Sequence, residues 1–407
     1  CLFRRFLMRP LLRVSIVCGF VLIGCSDDPV DPDPPEVPEP PGAPPALMRH
    51  CDGELCLALI AENFTMPLQV VSPPGDHRVF VVEQRGRVIV LDETEQRTYI
   101  DISTDVLMRY ENGLLGMAFH PAFASNGRVY LHYTDAGADN IVEEFIVDPA
   151  ADVAQSPVRR VLLRVVHEDT TNNHKAGHLA FGPDGYLWIS VGDGMVPSMA
   201  RRTTDLRGSI LRIDVDAGQP YGVPADNPFV GDGTSMPEIY YYGLRNPWRF
   251  SIDAQSGLAF IADVGTNQYE EINVVPYDEG GHHFGWPIRE GPDCAFSETC
   301  ESDGLTPPSA YFSHSDVPRV CALIGGAVYR GDAVPALRDR YVFADACAGL
   351  RTAAFDAAGE ISDLSEWMFA EVPGVGAMDI VSVGQGGDGA VYLAMHARGE
   401  VYRIEAP

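Results

Sequence analysis

The chain has 407 residues, 46% of them hydrophobic, which is enough apolar material for one large domain or two modest ones. Its 57 acidic residues against 29 lysines and arginines give a formal net charge of -28, which argues against a nucleic-acid backbone as partner. The same charge disfavours docking on anionic lipid, so any membrane tie must be covalent or hydrophobic.

The first element in chain order supplies such a tie. Phe3 to Arg13 (FRRFLMRPLLR) is basic, Val14 to Gly24 (VSIVCGFVLIG) is an apolar run too short for a stable span, and Cys25 follows. Residues 1–24 therefore read as a signal peptide. Leu22-Ile23-Gly24-Cys25 resembles the bacterial lipobox, which implies acylation of Cys25 and an exported lipoprotein, periplasmic or at the cell surface, that touches membrane only through that lipid. Residues 25–50 read as a linker, because Asp27 to Pro45 (DDPVDPDPPEVPEPPGAPP) has the proline and acid content of an extended, disordered spacer. Beyond it lie Cys51, Cys56, Cys294, Cys300, Cys321 and Cys347, an even number, which in an exported chain reads as disulfides. The short spacings pair Cys51 with Cys56 and Cys294 with Cys300, leaving Cys321 for Cys347. A metal site is the rival, but no Cys-x-x-Cys pair occurs.

From residue 51 to 407 one pattern recurs: a turn with Gly or Pro, a short apolar strand, a second turn and another strand. Copies begin at Pro73, Ser125, Gly182, Gln255, Leu337 and Gly386, with mid-strand residues Phe80, Tyr130, Trp188, Phe260, Val342 and Tyr392. The spacing leaves room for four strands per copy, and nothing between the copies keeps a helical period. Four-stranded units whose edges must be covered predict a closed ring, an all-β six-bladed β-propeller. A β-sandwich is the alternative, though it rarely needs this many residues. The last strand, from Gly399, should complete a blade with residues near Ala58 to Val71. Two insertions, Met195 to Gly233 after the third unit and Gly280 to Val317 between the fourth and fifth, should build a site at one face.

The most informative stretch is Thr171 to Gly194 (TNNHKAGHLAFGPDGYLWISVGDG), a polar loop that runs into a strand and out onto an aspartate. Pro183 and Gly185 make the GPDG turn, and the strand YLWISV carries the chain back so that Asp193 can sit beside the loop before it. An imidazole beside a carboxylate has its tautomer fixed, as a general base requires, so His174 and Asp193 are the candidate dyad. No Gly-x-Ser-x-Gly nucleophile motif occurs, which sets hydrolysis aside.

Several segments in this order resemble the glucose/sorbosone dehydrogenase family: ENGLLGMAFHP from Glu111, HKAGHLAFGPDGYLWISVGDG from His174, LRGSILRIDVD from Leu206, IYYYGLRNPWRFSID from Ile239, and DVGTNQYEEIN followed by HHFGWP. The cysteine-bearing part is similar to the hedgehog-interacting-protein-like branch. The resemblance implies a six-bladed propeller that oxidises an aldose-type sugar at C1 by hydride transfer to pyrroloquinoline quinone (PQQ), with Ca2+ holding the quinone and an external acceptor taking the electrons. It places His174 on the catalytic base, Asp193 on its orienting aspartate, Arg245 and Asn246 on cofactor contacts, and Glu111 on a polar residue near sugar and cofactor. Arg245 would also stabilise charge developing on the quinone oxygen. Gly265 and Thr266 fall where backbone carbonyls hold the calcium, and Glu271 on a further calcium site. His120, His282 and His283 read as structural, and Trp286-Pro287 as packing under the insertion.

Two departures from the family's pattern matter. Where the glucose dehydrogenases place a lysine on the cofactor, this chain reads ADACAG, around Cys347, and where they place arginines it reads VPGVGAMDIVS. Arg351 is the nearby cation that could reach inward as a substitute, which sequence alone does not show. The alternative is a non-catalytic propeller that binds a carbohydrate or protein partner through the same face.

Overall fold

A computed structural model describes residues 48–92, 95–167, 172–316, 319–367, 369 and 379–407. The expected signal peptide, the expected acylation site Cys25 and the expected linker up to residue 47 lie outside the described residues, as does most of VPGVGAMDIVS.

Each of the six repeats becomes an antiparallel sheet. In order from the axis outward, the first pairs Pro67–Val71, Val79–Glu83, Arg87–Asp92 and Glu95–Asp101. The second pairs Leu114–Phe119, Arg128–Thr134, Asn140–Ile146 and Val158–Val165. Leu179–Phe181, Leu187–Val191, Ser209–Ile213 and Ile239–Tyr242 make the third. The fourth uses Pro247–Asp253, Leu258–Asp263, Tyr269–Pro276 and Ala310–Ser313, and the fifth Leu323–Val328, Tyr341–Asp345, Gly349–Phe355 and Ile361–Trp367. The sixth joins Ile380–Gln385, Val391–Met395 and Glu400–Glu405 to Leu55–Ala61 from the start of the domain, with Met48–Asp52 as a fifth strand outside it. Innermost strands of neighbouring blades touch, and at the third-to-fourth junction Leu187–Val191 meets Pro247–Asp253, so the ring closes as a six-bladed β-propeller.

The repeat reads as strands because each sheet is buried on both faces. Apolar clusters fill all six gaps between adjacent blades, for instance Phe80 and Tyr99 against Met117 and Phe119 between the first and second. The mid-strand residues Phe80, Tyr130, Trp188, Phe260, Val342 and Tyr392 all fall on the second strand of a blade and are buried. Burying a side chain of Val to Phe size stabilises by about 1.5–3 kcal/mol relative to exposure, so these positions carry the blade-to-blade packing. The disulfides are Cys51–Cys56, Cys294–Cys300 and Cys321–Cys347, as the spacings require.

Three boundaries differ from the sequence reading. Ring closure uses Leu55–Ala61 alone, paired through Leu57 with Ile404 and Ala58 with Arg403; Pro67–Val71 is instead the inner strand of the first blade. The strand Met48–Asp52 takes in three residues assigned to the linker, since Cys51 sits opposite Cys56 in its register. Both insertions lie inside blades. Ser209–Ile213 within the first is the third strand of its blade, and Ala310–Ser313 within the second is the fourth strand of the fourth, with a short Arg289–Glu290 and Asp293–Cys294 hairpin before it. Short strands hidden among turn residues carry too little periodicity to be counted.

Because the strands are antiparallel, loops that precede an inner strand and loops that join second to third strands share one rim. Glu111, His174, Asp193, Arg245, Gly265 and Asp345 are all on such loops or strand ends. The axis below them is bridged by Arg249, whose buried Nη2 donates to Leu68 O at 2.8 Å and Leu115 O at 3.2 Å, tying the inner strands of the first, second and fourth blades. A cavity of about 290 Å³ lines the far half of the axis, against residues such as Val71, Phe119, Phe181 and Gln385, and includes none of the candidate site residues.

Candidate active site

The centre of the rim is the His174 imidazole. Its Nδ1 lies 2.7 Å from Asp193 Oδ1. Asp193 is fully buried and surrounded by donors: Met195 N reaches Oδ1 at 2.7 Å and Trp286 Nε1 reaches Oδ2 at 2.8 Å. A carboxylate that accepts on both oxygens is fixed in place, and it fixes the histidine with Nδ1 protonated and Nε2 as the basic position. The loop that carries the ring is bent to fit, with φ of 56° at His174 and 50° at Ala176. Such left-handed backbone costs roughly 1–2 kcal/mol per non-glycine residue and has to be held by its surroundings. Gly192 is part of that holding, since a Cβ there would come 2.1 Å from His174 O.

Neighbouring blades supply the rest. Glu111, just before the inner strand of the second blade, accepts His174 N on Oε2 at 2.7 Å and Asn246 Nδ2 on the same oxygen at 3.3 Å. Asn246, just before the inner strand of the fourth, accepts Ala176 N on Oδ1 at 3.0 Å. Asp193 N donates to Arg245 O at 2.8 Å. Three blades thus lock one loop, and the strained residues His174 and Ala176 are those whose N–H groups are held by side chains. Gln84 extends the network: its Nε2 donates to Tyr110 O at 2.7 Å and Asn112 O at 3.0 Å, and its Oε1 lies 2.9 Å from His396 Nε2 on the sixth blade.

On the other side, Asp263 accepts Arg245 N at 2.9 Å and Asn246 N at 2.7 Å. Burial raises its carboxyl to about 7, against the pull of those two N–H groups. The Arg245 guanidinium spends one N–H on Val264 O at 2.8 Å and lies over Trp286, its carbon 5.7 Å from the ring centre. Gly265 and Thr266 turn their N–H groups to Glu270 Oε2 at 3.3 Å and Glu290 Oε1 at 2.8 Å, and no loop hydrogen bond among the described residues ends on either carbonyl. A Cβ on Gly265 would collide with Tyr269 O, so this tight loop needs glycine. Glu271 lies inside the sheet, opposite Asp263 in the register; burial pushes it up to about 8, with Asp263 adding to the shift, and it accepts Gly291 N.

The structure therefore brings Glu111, His174, Asp193, Arg245 and Asn246 into one bonded cluster, with Gly265 and Thr266 next along the rim, and sets Glu271 on the third strand of the fourth blade, further out from the axis. Among the described residues the group of His, Cys, Asp or Glu ligand atoms close enough for a metal is Cys321, Asp345 and Cys347, two of which form a disulfide. Sequence reasoning missed Trp286, Asp263 and Gln84. Trp286 is more than packing, since its indole N–H orients Asp193; aspartates and tryptophans at element ends give no pattern that foretells such bonds. Arg351 does not reach inward: it is buried on the third strand of the fifth blade, donates to Glu366 Oε1 at 2.7 Å and lies over Phe312. His120 is held by Ala122 N and Asn126, and His282 and His283 by Thr306 and Gly285, in keeping with structural roles.

The glucose/sorbosone dehydrogenase family model matches residues 64–403. The chain belongs to that family. "HIPL1 protein" of Arabidopsis thaliana is 30% identical over 369 residues, covering 72% of this chain and 52% of the relative. "Aldose sugar dehydrogenase YliI" of Escherichia coli strain K12 is 28% identical over 250 residues, 58% of this chain and 66% of the relative. Among solved structures, the PQQ-bound form of an aldose sugar dehydrogenase from Streptomyces coelicolor superposes with a TM-score of 0.69 at 21% identity, covering 90% of this chain and all of that one, a likeness of fold. The chain spans about half the length of the HIPL relatives it matches.

Proposed function

We propose that this chain is a PQQ-dependent sugar dehydrogenase that oxidises an aldose at C1, with His174 as the general base. The observation that carries the reading is the 2.7 Å contact of His174 Nδ1 with a buried Asp193 whose two oxygens are already oriented by Met195 and Trp286. With Nδ1 engaged, Nε2 takes the proton of the C1 hydroxyl, and Asp193 stabilises the imidazolium that forms. The chemistry that pyrroloquinoline quinone supplies when bound is acceptance of the C1 hydride, after which the two electrons pass to an external acceptor and the sugar leaves as its lactone. The donor set fits that group: Arg245 keeps guanidinium N–H groups beyond the one on Val264, and the unengaged carbonyls of Gly265 and Thr266 suit a hard cation such as Ca2+. Asn246 and Glu111 act chiefly on the protein itself, holding the His174 loop.

The three disulfides fit an oxidising compartment, and export with a lipid on Cys25 belongs to the same proposal. No helix among the described residues is long and apolar enough to cross a membrane.

A second reading, a partner-binding propeller without redox chemistry, is favoured by one observation. On the fifth-blade rim, where a lysine would meet the cofactor, the buried carboxylate of Asp345 instead accepts the N–H groups of Cys321, Ala322, Cys347 and Ala348 around the disulfide. Sugar-dependent dye reduction after loading with calcium and the quinone tests the choice. Activity abolished in His174→Ala supports oxidation. No quinone binding by calorimetry at micromolar concentration with calcium present leaves the second reading, and activity that survives His174→Ala removes the assigned base.

A further inference from the structure

We infer that the cavity on the far half of the propeller axis is the site of a small monoanion, a halide or a carboxylate of formate size, which balances the buried guanidinium of Arg249. Arg249 is 2% exposed and lines that cavity of about 290 Å³. Among the described residues its hydrogen bonds end on backbone carbonyls: Nη1 donates to Trp248 O at 3.1 Å, and Nη2 to Leu68 O and Leu115 O. The Trp248 ring centre lies 4.6 Å from the guanidinium carbon. No described carboxylate pairs with this cation, and no aspartate or glutamate lines the cavity, in a chain that carries 57 acids. Burial pulls Arg249 down to about 9, which leaves it charged at neutral pH. A buried charge is costly unless an opposite charge meets it, and three carbonyls and an indole face supply only part of that compensation.

Further polar groups of the lining suit the same guest. Arg249 Nε, His178 Nδ1 and Ser251 Oγ are buried atoms with no hydrogen-bond partner among the described residues, and all three residues line the cavity. Arg249 and Ser251 are two apart on the inner strand Pro247–Asp253 and so share one of its faces. His178 directly precedes the inner strand Leu179–Phe181 of the adjoining blade, its ring 4.9 Å from that of Phe250. Burial, and next the charge of Arg249, hold that imidazole well below its usual range, so it is neutral and offers one N–H. One fixed cation with two neutral donors matches a single negative charge, whereas a sulfate or phosphate dianion would bring a surplus into the interior. The volume takes such an ion together with several waters at about 30 Å³ each. Exposed Pro74 and Gln385 also line the cavity and give the ion a way in from the far rim, so the site is independent of the chemistry proposed at His174.

The test uses the full chain without quinone or calcium. Bromide NMR at constant ionic strength, with glutamate as the anion replaced, should show excess line broadening that saturates in the millimolar range and is displaced by formate. A crystal soaked in bromide should give an anomalous peak beside Arg249 in the axial cavity. Arg249→Met should weaken bromide binding by about tenfold or more, the loss of one charge-assisted contact. Ser251→Asp sets a carboxylate on the same strand face as the guanidinium and should abolish bromide binding while raising the melting temperature at low salt. Because that variant supplies the opposing charge, it decides the matter even where Arg249→Met fails to fold. Broadening that does not saturate, broadening equal in the native and Ser251→Asp chains, or a soaked crystal without an anomalous peak in the cavity overturns the assignment. Saturable bromide that formate does not displace overturns the carboxylate and supports the halide.

Discussion

Asp193→Asn separates positioning from bulk, because an amide matches the carboxylate in size and fails only in polarity. In the native site Oδ1 faces two donors, His174 Nδ1 and Met195 N, both at 2.7 Å, and Oδ2 faces Trp286 Nε1 at 2.8 Å. With the amide oxygen toward His174, its NH2 opposes the indole N–H; with the amide reversed, the NH2 opposes Met195 N and forces His174 Nδ1 to accept. The reversed form moves the ring proton to Nε2 and removes the base. Either form leaves a buried donor pair unsatisfied, at about 1–3 kcal/mol for each group. Over roughly 360 folded residues the unfolding entropy is about 0.75 kcal/mol/K, so a loss of about 2–4 kcal/mol lowers Tm by about 3–5 °C. Turnover should fall by about 10³–10⁴-fold if the tautomer switches. Thermal unfolding, dye reduction and long-range 1H–15N NMR of the His174 ring read the three quantities together. Turnover within tenfold of native with Tm unchanged refutes the argument, since it means Asp193 neither orients the ring nor meets three donors.

Other consequences follow from the same contacts. Glu111→Ala removes the acceptor of His174 N at a residue with φ of 56°, so the His174 amide should lose hydrogen-exchange protection, with a cost of about 1.5–3 kcal/mol, while Glu111→Gln, which still accepts, should lose less. Arg249→Met strands the carbonyls of Leu68 and Leu115 on the axis and should lower the denaturation midpoint by the equivalent of about 2–5 kcal/mol. Burial drives His132 and His167 down to about 3 and His283 to about 4. These groups stay neutral when folded but protonate near pH 6.5 when unfolded, so their stability is complete above about pH 6.5 and is lost progressively as pH falls toward 4 and 3. Melting curves from pH 8 to 4 should show that fall. His132→Phe, which leaves Asn140 Nδ2 its bond to Lys175 O, should flatten it.

The fold was legible because six buried second strands repeat one aromatic or branched residue each, from Phe80 to Tyr392, and burial on both faces of a blade leaves a continuous apolar run in sequence. The disulfides were legible from spacing alone. Strands without that signature were not: Ser209–Ile213 and Ala310–Ser313 sit among turn residues and read as insertion, and only a three-dimensional partner makes them strands. The His174 and Asp193 pairing could be argued from a single strand length, since both residues flank the same outgoing and returning segment.

What escaped the sequence is the set of contacts that cross blades. Glu111 and Asn246 are 135 residues apart and share one hydrogen bond, and Trp286 reaches Asp193 across 93 residues. No local pattern encodes such a pair; ring closure sets the distance. The same geometry explains why a strained loop is tolerable at the rim. His174 and Ala176 lose roughly 1–2 kcal/mol each to left-handed backbone, and each regains a hydrogen bond to a side chain fixed on a different blade, so the loop is as rigid as the ring itself. A base positioned that way needs no closing lid to acquire its orientation. Removing both holds at once, in Glu111→Ala with Asn246→Ala, should therefore cost more than the sum of the singles, because either remaining bond can still restrain the loop. Strict additivity in unfolding free energy would show instead that the two blades hold His174 independently.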